Sequence, residues 1–276
     1  MMLFGRTFFA RHQEATTWAG SGATSPSDFT AEYSVWQDMY RKDRYARDRV
    51  MKSARMLLPY LKDTDTILDV GCFTHEARKY FPRTINYIGI DQKKYHPKTQ
   101  VADLNHGFTP ISCHHALCLE TLEHLLDPED TLQSILDSVQ PGGIVVISLP
   151  NETTLFHRIR SLLGVVDMEC FSPQGKHLHL PSLKQSRAFL SKKLQVHTER
   201  FYISPSAYGS KQVWVGQILK ALPDSFHQFL ADKFPSLFAR GFIFLCTRHG
   251  EKPQEIGAAQ ALSRSTPARP DQIKVT

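Results

Sequence analysis

An α/β fold with a parallel sheet covered on both faces is what this sequence predicts, and three observations carry the prediction. From residue 66 onward, short apolar runs alternate with helix-periodic stretches. The runs themselves, among them TILDV at 66–70, NYIGID at 86–91 and GIVVISLP at 143–150, lack the polar alternation of a half-exposed strand, as expected of strands buried on both sides. The first of them passes through Gly71 into a helical stretch, ILDVGCFTHEARKYF at 67–81, the strand–turn–helix pattern of a doubly wound sheet.

Taken in order, residues 1–30 read as a loosely structured segment: Arg6 and Arg11 interrupt or follow a short apolar patch, LFGRTFFA, which argues against a secretory signal and leaves a transit peptide open. Residues 31–61 carry helical spacing, with Tyr33, Trp36 and Tyr40 on one face and Val50, Met51, Ala54, Leu57, Leu58 and Leu61 continuing inward as a helical cover for one sheet edge. Core packing is the simpler account of the three aromatics, closure over a ligand the alternative. RKDRYARDR at 41–49 mixes cations and anions and reads as a solvated helix face rather than a nucleic-acid footprint. After TILDV come a helix near 75–81, then NYIGID, TQVADL and HHALCLE. A helix from Pro128 to Val139 follows, with Pro128, Glu129 and Asp130 suiting its first turn and PGG at 141–143 closing it. Beyond SLPN at 148–151 the pattern predicts a helix near 182–193, a strand at 195–203, helices between 211 and 239, and a last strand GFIFLCTR. The tail from 250 is rich in Pro, Ala, Ser and Gln and is expected to be disordered.

Composition narrows the function classes. The chain has 276 residues, enough for one domain with extra pieces at its ends, and no apolar run approaches the roughly 20 residues that cross a bilayer. Five cysteines, at 72, 113, 118, 170 and 246, form no C-x-x-C pair and suit a reducing compartment, so cytosol is the default. The net charge of +6 is interspersed with acids, and nucleic acid is not the expected partner.

The turn after the first strand sets the ligand. In such sheets the ligand sits beyond the strands' carboxyl ends, where the turn delivers backbone N–H groups. Asp91 closes the second strand 22 residues after Asp69, the spacing of a carboxylate that accepts both hydroxyls of a ribose, so an adenosine ligand is expected. A pyrophosphate requires three glycines for close approach, and here Phe73 and His75 stand at two of the three places with Asp69 beside them, which works against a dinucleotide. A ligand bearing an ammonium and a cationic sulfonium welcomes an aspartate there, which points to S-adenosylmethionine.

At these residues the sequence resembles the class I S-adenosylmethionine-dependent methyltransferases, in particular the small members similar to MetW and to the ubiquinone-biosynthesis O-methyltransferases. The resemblance covers about residues 66–203: ILDVGCFTHE, YIGID, VADLN and, most specifically, CLETLEHLLDPEDTLQSILDSVQPGGIVVISLPN. It implies a Rossmann-like doubly wound, mostly parallel seven-stranded sheet with an antiparallel last strand. Within a methyltransferase domain at 31–249 it divides a helical lid at 31–61, a cofactor-binding core at 66–150 and a substrate-side half at 151–249. By the same resemblance Asp69, Gly71 and Cys72 lie at the methionine end, Asp91 and Gln92 at the ribose, Asp103 and Leu104 beside the adenine, and Glu120 near the methyl group. Three positions depart from the pattern: Phe73 and His75 replace glycines, and His114 replaces an aspartate opening the fourth strand. Phe73 is tolerable if its side chain points away, whereas a bulky His75 crowds the helix start and could weaken the cofactor site.

The candidate catalytic residues are Glu120 and His124, the latter as a general base with a pKa near neutrality. If residues 120–124 begin a helix, Glu120, Glu123 and His124 share a face and, with His177 or His179, could hold a divalent cation. Similar E-x-x-E-H clusters bind metal in some relatives, terminal RNA-ribose and ubiquinone-pathway enzymes among them, and a metal-free site is the reading adopted. Cys72 reads as a packing residue and Asn151 as turn chemistry or a substrate contact. The expected reaction is methyl transfer to an oxygen or nitrogen of a small-molecule acceptor. The alternatives are a catalytically silent binding or scaffold domain and a metal-dependent methyltransferase acting on an RNA end.

Overall fold

A computed structural model of the chain describes residues 44–164, 177–203 and 222–255. Seven strands form one sheet: β1 (Thr66–Val70), β2 (Asn86–Asp91), β3 (Thr99–Val101), β4 (His115–Leu119), β5 (Val145–Pro150), β6 (Leu194–Tyr202) and β7 (Gly241–Arg248). Their spatial order is β3-β2-β1-β4-β5-β7-β6. The first five pair in parallel, and β7 runs antiparallel between β5 and β6. This is the predicted α/β fold, with its antiparallel last strand inserted beside β5. The chain leaves β1 toward β2 on one side and β4 lies on the other, so the sheet's switch point opens at the carboxyl ends of β1 and β4.

The unbroken apolar runs follow from burial on both faces. Successive strand residues face opposite layers. Ile67 and Leu117 join Val50, Ala54, Leu57 and Leu61 on the side of helix α1 (Arg44–Leu57). Leu68 and Cys118 join Leu132, Ile135 and Leu136 of α2 (Pro128–Ser138) together with Leu183 and Leu190 of α4 (Leu183–Leu190). Helix α3 (Leu155–Leu162) follows β5, and α5 (Asp224–Lys233) and α6 (Pro235–Phe238) precede β7.

Several local expectations change. The helix expected near 75–81 is a short 3-10 helix, Glu76–Tyr80, because His75 enters it in a left-handed conformation and Pro82 follows it, while the Arg78 guanidinium donates to the carbonyls of Phe81 and Pro82. TQVADL yields only Thr99–Val101. Helix α4 starts at a capping box in which Ser182 and Gln185 satisfy each other's backbone, and α2 starts at Asp127, whose carboxylate accepts the Glu129 and Asp130 N–H groups. Tyr33, Trp36, Tyr40 and Cys170 lie outside the described residues. Among the described residues, no helix is long and apolar enough to cross a membrane.

Candidate active site at the carboxyl edge of the sheet

β1 delivers Asp69 and then turns at Gly71, whose φ is 73°. A Cβ on Gly71 would meet the Thr121 hydroxyl at 2.1 Å, so the turn needs glycine both for its conformation and for its close approach to the exit of β4. The Gly71 and Cys72 N–H groups donate to the Ile90 carbonyl, at 2.9 and 3.1 Å. Phe73 and His75 then adopt φ of 46° and 58°, the left-handed region a glycine would enter freely. Each costs about 1–2 kcal/mol in backbone strain. Packing offsets it. The Phe73 ring lies 4.6 Å from that of Tyr95, and the His75 ring stacks on His96 at 4.2 Å with Nε2 3.0 Å from Thr99 Oγ1. A Cβ on Gly89 would come within 2.5 Å of His75 Nε2, so the imidazole fills the space that this strand glycine leaves on β2. The expected crowding of a helix start by His75 is therefore corrected: the ring packs over β2, and the segment after it is a 3-10 turn. Burial, reinforced by His96 and Lys98, lowers the His75 pKa to about 4 and keeps it neutral.

Two carboxylates flank the turn. Asp91 accepts the Phe73 N–H at 2.9 Å and the Lys93 N–H at 3.3 Å, and burial nonetheless raises its pKa. Asp69 is buried and accepts the Tyr87 hydroxyl; burial raises its pKa to about 7, opposed by that hydrogen bond and helped by the charge of Asp91. Burial first, then these two acids, push the Cys72 thiol far above its usual range, and its sulfur lies 3.7 Å from Thr99 Oγ1, the surroundings of a packing residue. A crevice lined by Arg49, Asp69, Gly71, Cys72, Phe73 and Leu119 opens here. Gln92 is exposed just beyond Asp91. Asp103 is exposed and accepts the Asn105 backbone and side-chain amides at 2.9 and 3.0 Å, while Leu104 beside it is buried.

Glu120 departs from the helical geometry that would have joined it to Glu123 and His124. Its φ of 51° turns the chain at the end of β4, and only one 3-10 turn, Leu122–His124, follows. Its carboxylate instead accepts the Tyr202 hydroxyl at 2.6 Å and the Ser148 hydroxyl at 3.4 Å and pairs with Arg49 at 3.3 Å. Glu123 shares none of these partners: its side chain is fully buried, with neither oxygen hydrogen-bonded among the described residues. Burial, then the charge of Glu120, holds its carboxyl well above the usual carboxylate range. His124 Nε2 and His177 Nε2 approach its Oε1 to 3.8 and 4.0 Å, and His177 Nδ1 sits 2.7 Å from Glu152. One ligand atom from each of Glu123, His124 and His177 falls within 4.8 Å of the others, a donor set that suits a divalent transition metal, with Glu152 orienting His177. Of the two candidate histidines, His179 lies apart and bonds the Leu125 carbonyl at 2.9 Å.

Sequence reasoning missed four residues of this edge: Arg49, Tyr87, Glu152 and Tyr202. Arg49 carried a signal, since it lies one residue before Val50 and one turn before Ser53, both buried, and so falls on the inner face of α1 rather than on a solvated one. His114, where an aspartate was expected, accepts the Thr66 N–H at 2.9 Å through Nδ1. Asn151 is buried and donates to the Pro235, Ser236 and Ala239 carbonyls, closing the end of α6.

A family profile described as a methyltransferase domain matches residues 40–192, more than half of the chain. The chain belongs to this methyltransferase family. The ubiquinone biosynthesis O-methyltransferases of Shewanella sp. (strain ANA-3) and Shewanella halifaxensis are each 33% identical over 69 residues, 25% of this chain and 29% of the relative's length. The matched stretch thus spans under a third of those curated relatives. A chain from the complex between the Haloferax volcanii Trm112 methyltransferase activator and a methyltransferase superposes with a TM-score of 0.52 at 14% identity, covering 82% of this chain and 99% of that one, a likeness of fold.

Proposed function

We propose that this methyltransferase transfers a methyl group from S-adenosylmethionine to an oxygen or nitrogen of a small-molecule acceptor. One observation carries the reading: two carboxyl groups, Asp69 on β1 and Asp91 at the end of the paired strand β2, where it accepts the Phe73 N–H, flank a left-handed turn at the sheet's switch point. Such an electronegative crevice suits a ligand with an ammonium and a sulfonium. In this reading Asp69, Gly71 and Cys72 receive the methionine end, and Asp91 with Gln92 the ribose. Asp103 and Leu104 border the adenine, and Glu120, tied to Arg49 and Tyr202, stands near the reacting methyl. Arg49 lines the same crevice and offers its guanidinium to a carboxylate. His124 removes the acceptor's proton. S-adenosylmethionine brings an already activated methyl group, and the protein's work is alignment and exclusion of water.

Calorimetry with S-adenosylhomocysteine tests the reading. Saturable binding heat is expected; none at millimolar ligand would replace the enzyme with a silent methyltransferase-like binding domain.

A second reading, metal-assisted transfer, is favoured by the buried Glu123 carboxyl, which has no hydrogen-bond partner among the described residues and lies beside His124 and His177. There the cation would take over acidification of the acceptor hydroxyl and His124 would be a ligand instead of a base. Methyl transfer unchanged after chelation would remove it, and loss of activity restored by Mn²⁺ would establish it.

A further inference from the structure

A cavity of about 410 Å³ lies beside the 3-10 turn Leu122–His124, between that turn, the end of β5 and the start of α4. Its size falls within the roughly 300–1,000 Å³ of small-molecule sites. The walls are apolar, formed by Leu122, Pro128, Leu149, Leu178, Leu180 and Phe189. Four polar side chains interrupt them, and two of the four are already engaged: Gln185 belongs to the α4 capping box, and His179 Nε2 bonds the Leu125 carbonyl. The other two, the Glu123 carboxyl and the Ser186 hydroxyl, are buried and have no hydrogen-bond partner among the described residues. Groups so placed raise the energy of the empty protein unless something bonds them. Among the described residues, no lysine or arginine lines the cavity to receive an anion.

We infer that this cavity holds the methyl acceptor, and that the acceptor is an uncharged, largely apolar molecule whose polar group bonds Glu123 and Ser186. The inference rests on the methyltransferase reading above. Glu123 joins the two regions: it lines the cavity and also stands 3.8 Å from His124, three residues beyond Glu120. The wall of the cavity that carries Glu123 therefore lies beside the candidate base, and Leu178, half exposed, lines a rim open to an apolar body.

Binding to the full chain, measured by calorimetry with 1-naphthol and 4-hexylphenol as neutral probes, tests the inference. Saturable binding is expected for at least one probe, about tenfold weaker in Ser186→Ala for the lost hydrogen bond and abolished in Leu178→Trp, which plugs the rim. Ser186→Ala should at the same time raise Tm, because it removes an unpartnered hydroxyl; a merely structural serine would lower it. S-adenosylhomocysteine should bind all three proteins alike. Probe affinity untouched by both substitutions, or 1-naphthyl phosphate binding as tightly as 1-naphthol, would overturn the inference. S-adenosylhomocysteine bound without either probe would sink the cavity and keep the function, whereas a probe bound without S-adenosylhomocysteine would do the reverse.

Discussion

At the amino edge of the sheet, Asp65 is buried, accepts the Lys62 N–H at 2.7 Å and meets His115 Nε2 at 3.1 Å, while His115 Nδ1 accepts the Ile144 N–H. At the carboxyl edge Glu123 is just as buried, and neither of its oxygens has a hydrogen-bond partner among the described residues. Backbone strain divides the same way: the three non-glycine residues with positive φ among the described ones, Phe73, His75 and Glu120, all lie at the carboxyl edge. One edge is built to be stable. The other holds left-handed conformations that local packing has to offset and a buried carboxyl with no hydrogen-bond partner among the described residues, the arrangement expected where strain is kept for function.

Four measurements test that contrast. Asp65→Ala should have the largest effect of the three substitutions on stability, a loss of about 3 kcal/mol in urea unfolding, because it leaves His115 Nε2 and the Lys62 amide without their partner inside the protein. A loss below about 1 kcal/mol would mean the amino edge is no better satisfied than the other. His75→Gly should be destabilising by about 2 kcal/mol despite relieving a positive φ, since it empties the space over Gly89 and breaks the bond to Thr99. A stabilised variant would show that strain, not packing, dominates the turn. Glu123→Met, measured in chelator, should stabilise the ligand-free protein by about 1 kcal/mol, opposite in sign to Asp65→Ala; destabilisation would reveal a partner for the carboxyl.

The fourth measurement is of the pH dependence. Asp69 has a folded pKa of about 7 against an ordinary 3.8, so the folded state holds the extra proton between those values and its contribution to stability falls as pH rises through that window. His75, lowered to about 4 from 6.5, contributes the opposite slope between those values, because there the unfolded state is the one holding the extra proton. The two offset each other in the native protein. Asp69→Asn should therefore unmask a rise in stability between pH 4 and 6.5, and the same pH profile in both proteins would refute the shift at Asp69.

Much of this architecture was legible in the residues. Apolar runs such as TILDV and GFIFLCTR announce strands buried on both faces, and Asp91 ends β2 where its spacing from Asp69 predicts. What hydropathy cannot carry is the sign of φ. Nothing about Phe73 or His75 as residue types announces a left-handed turn, and Glu120 was grouped with Glu123 on helical spacing that a single positive φ dissolves. Arg49 was misjudged differently: its charge outweighed its position on the inner face of α1. The choice between His177 and His179 depends on the backbone between them, since both amides of Leu178 and His179 donate to the Glu123 carbonyl and set which ring turns back toward the cluster.

The contacts of α1 also bear on the order in which a ribosome could complete this protein. Arg49 pairs with Glu120, which is held in turn by Tyr202, and Lys52 donates to the Phe201 carbonyl and to Gln228. A helix made early thus finds its polar anchors only after residues 201–228 have emerged. During vectorial synthesis the apolar face of α1 can dock on Ile67 and Leu117 before these late anchors arrive, and a nascent chain stopped near residue 190 should be more sensitive to protease within 44–57 than the finished one.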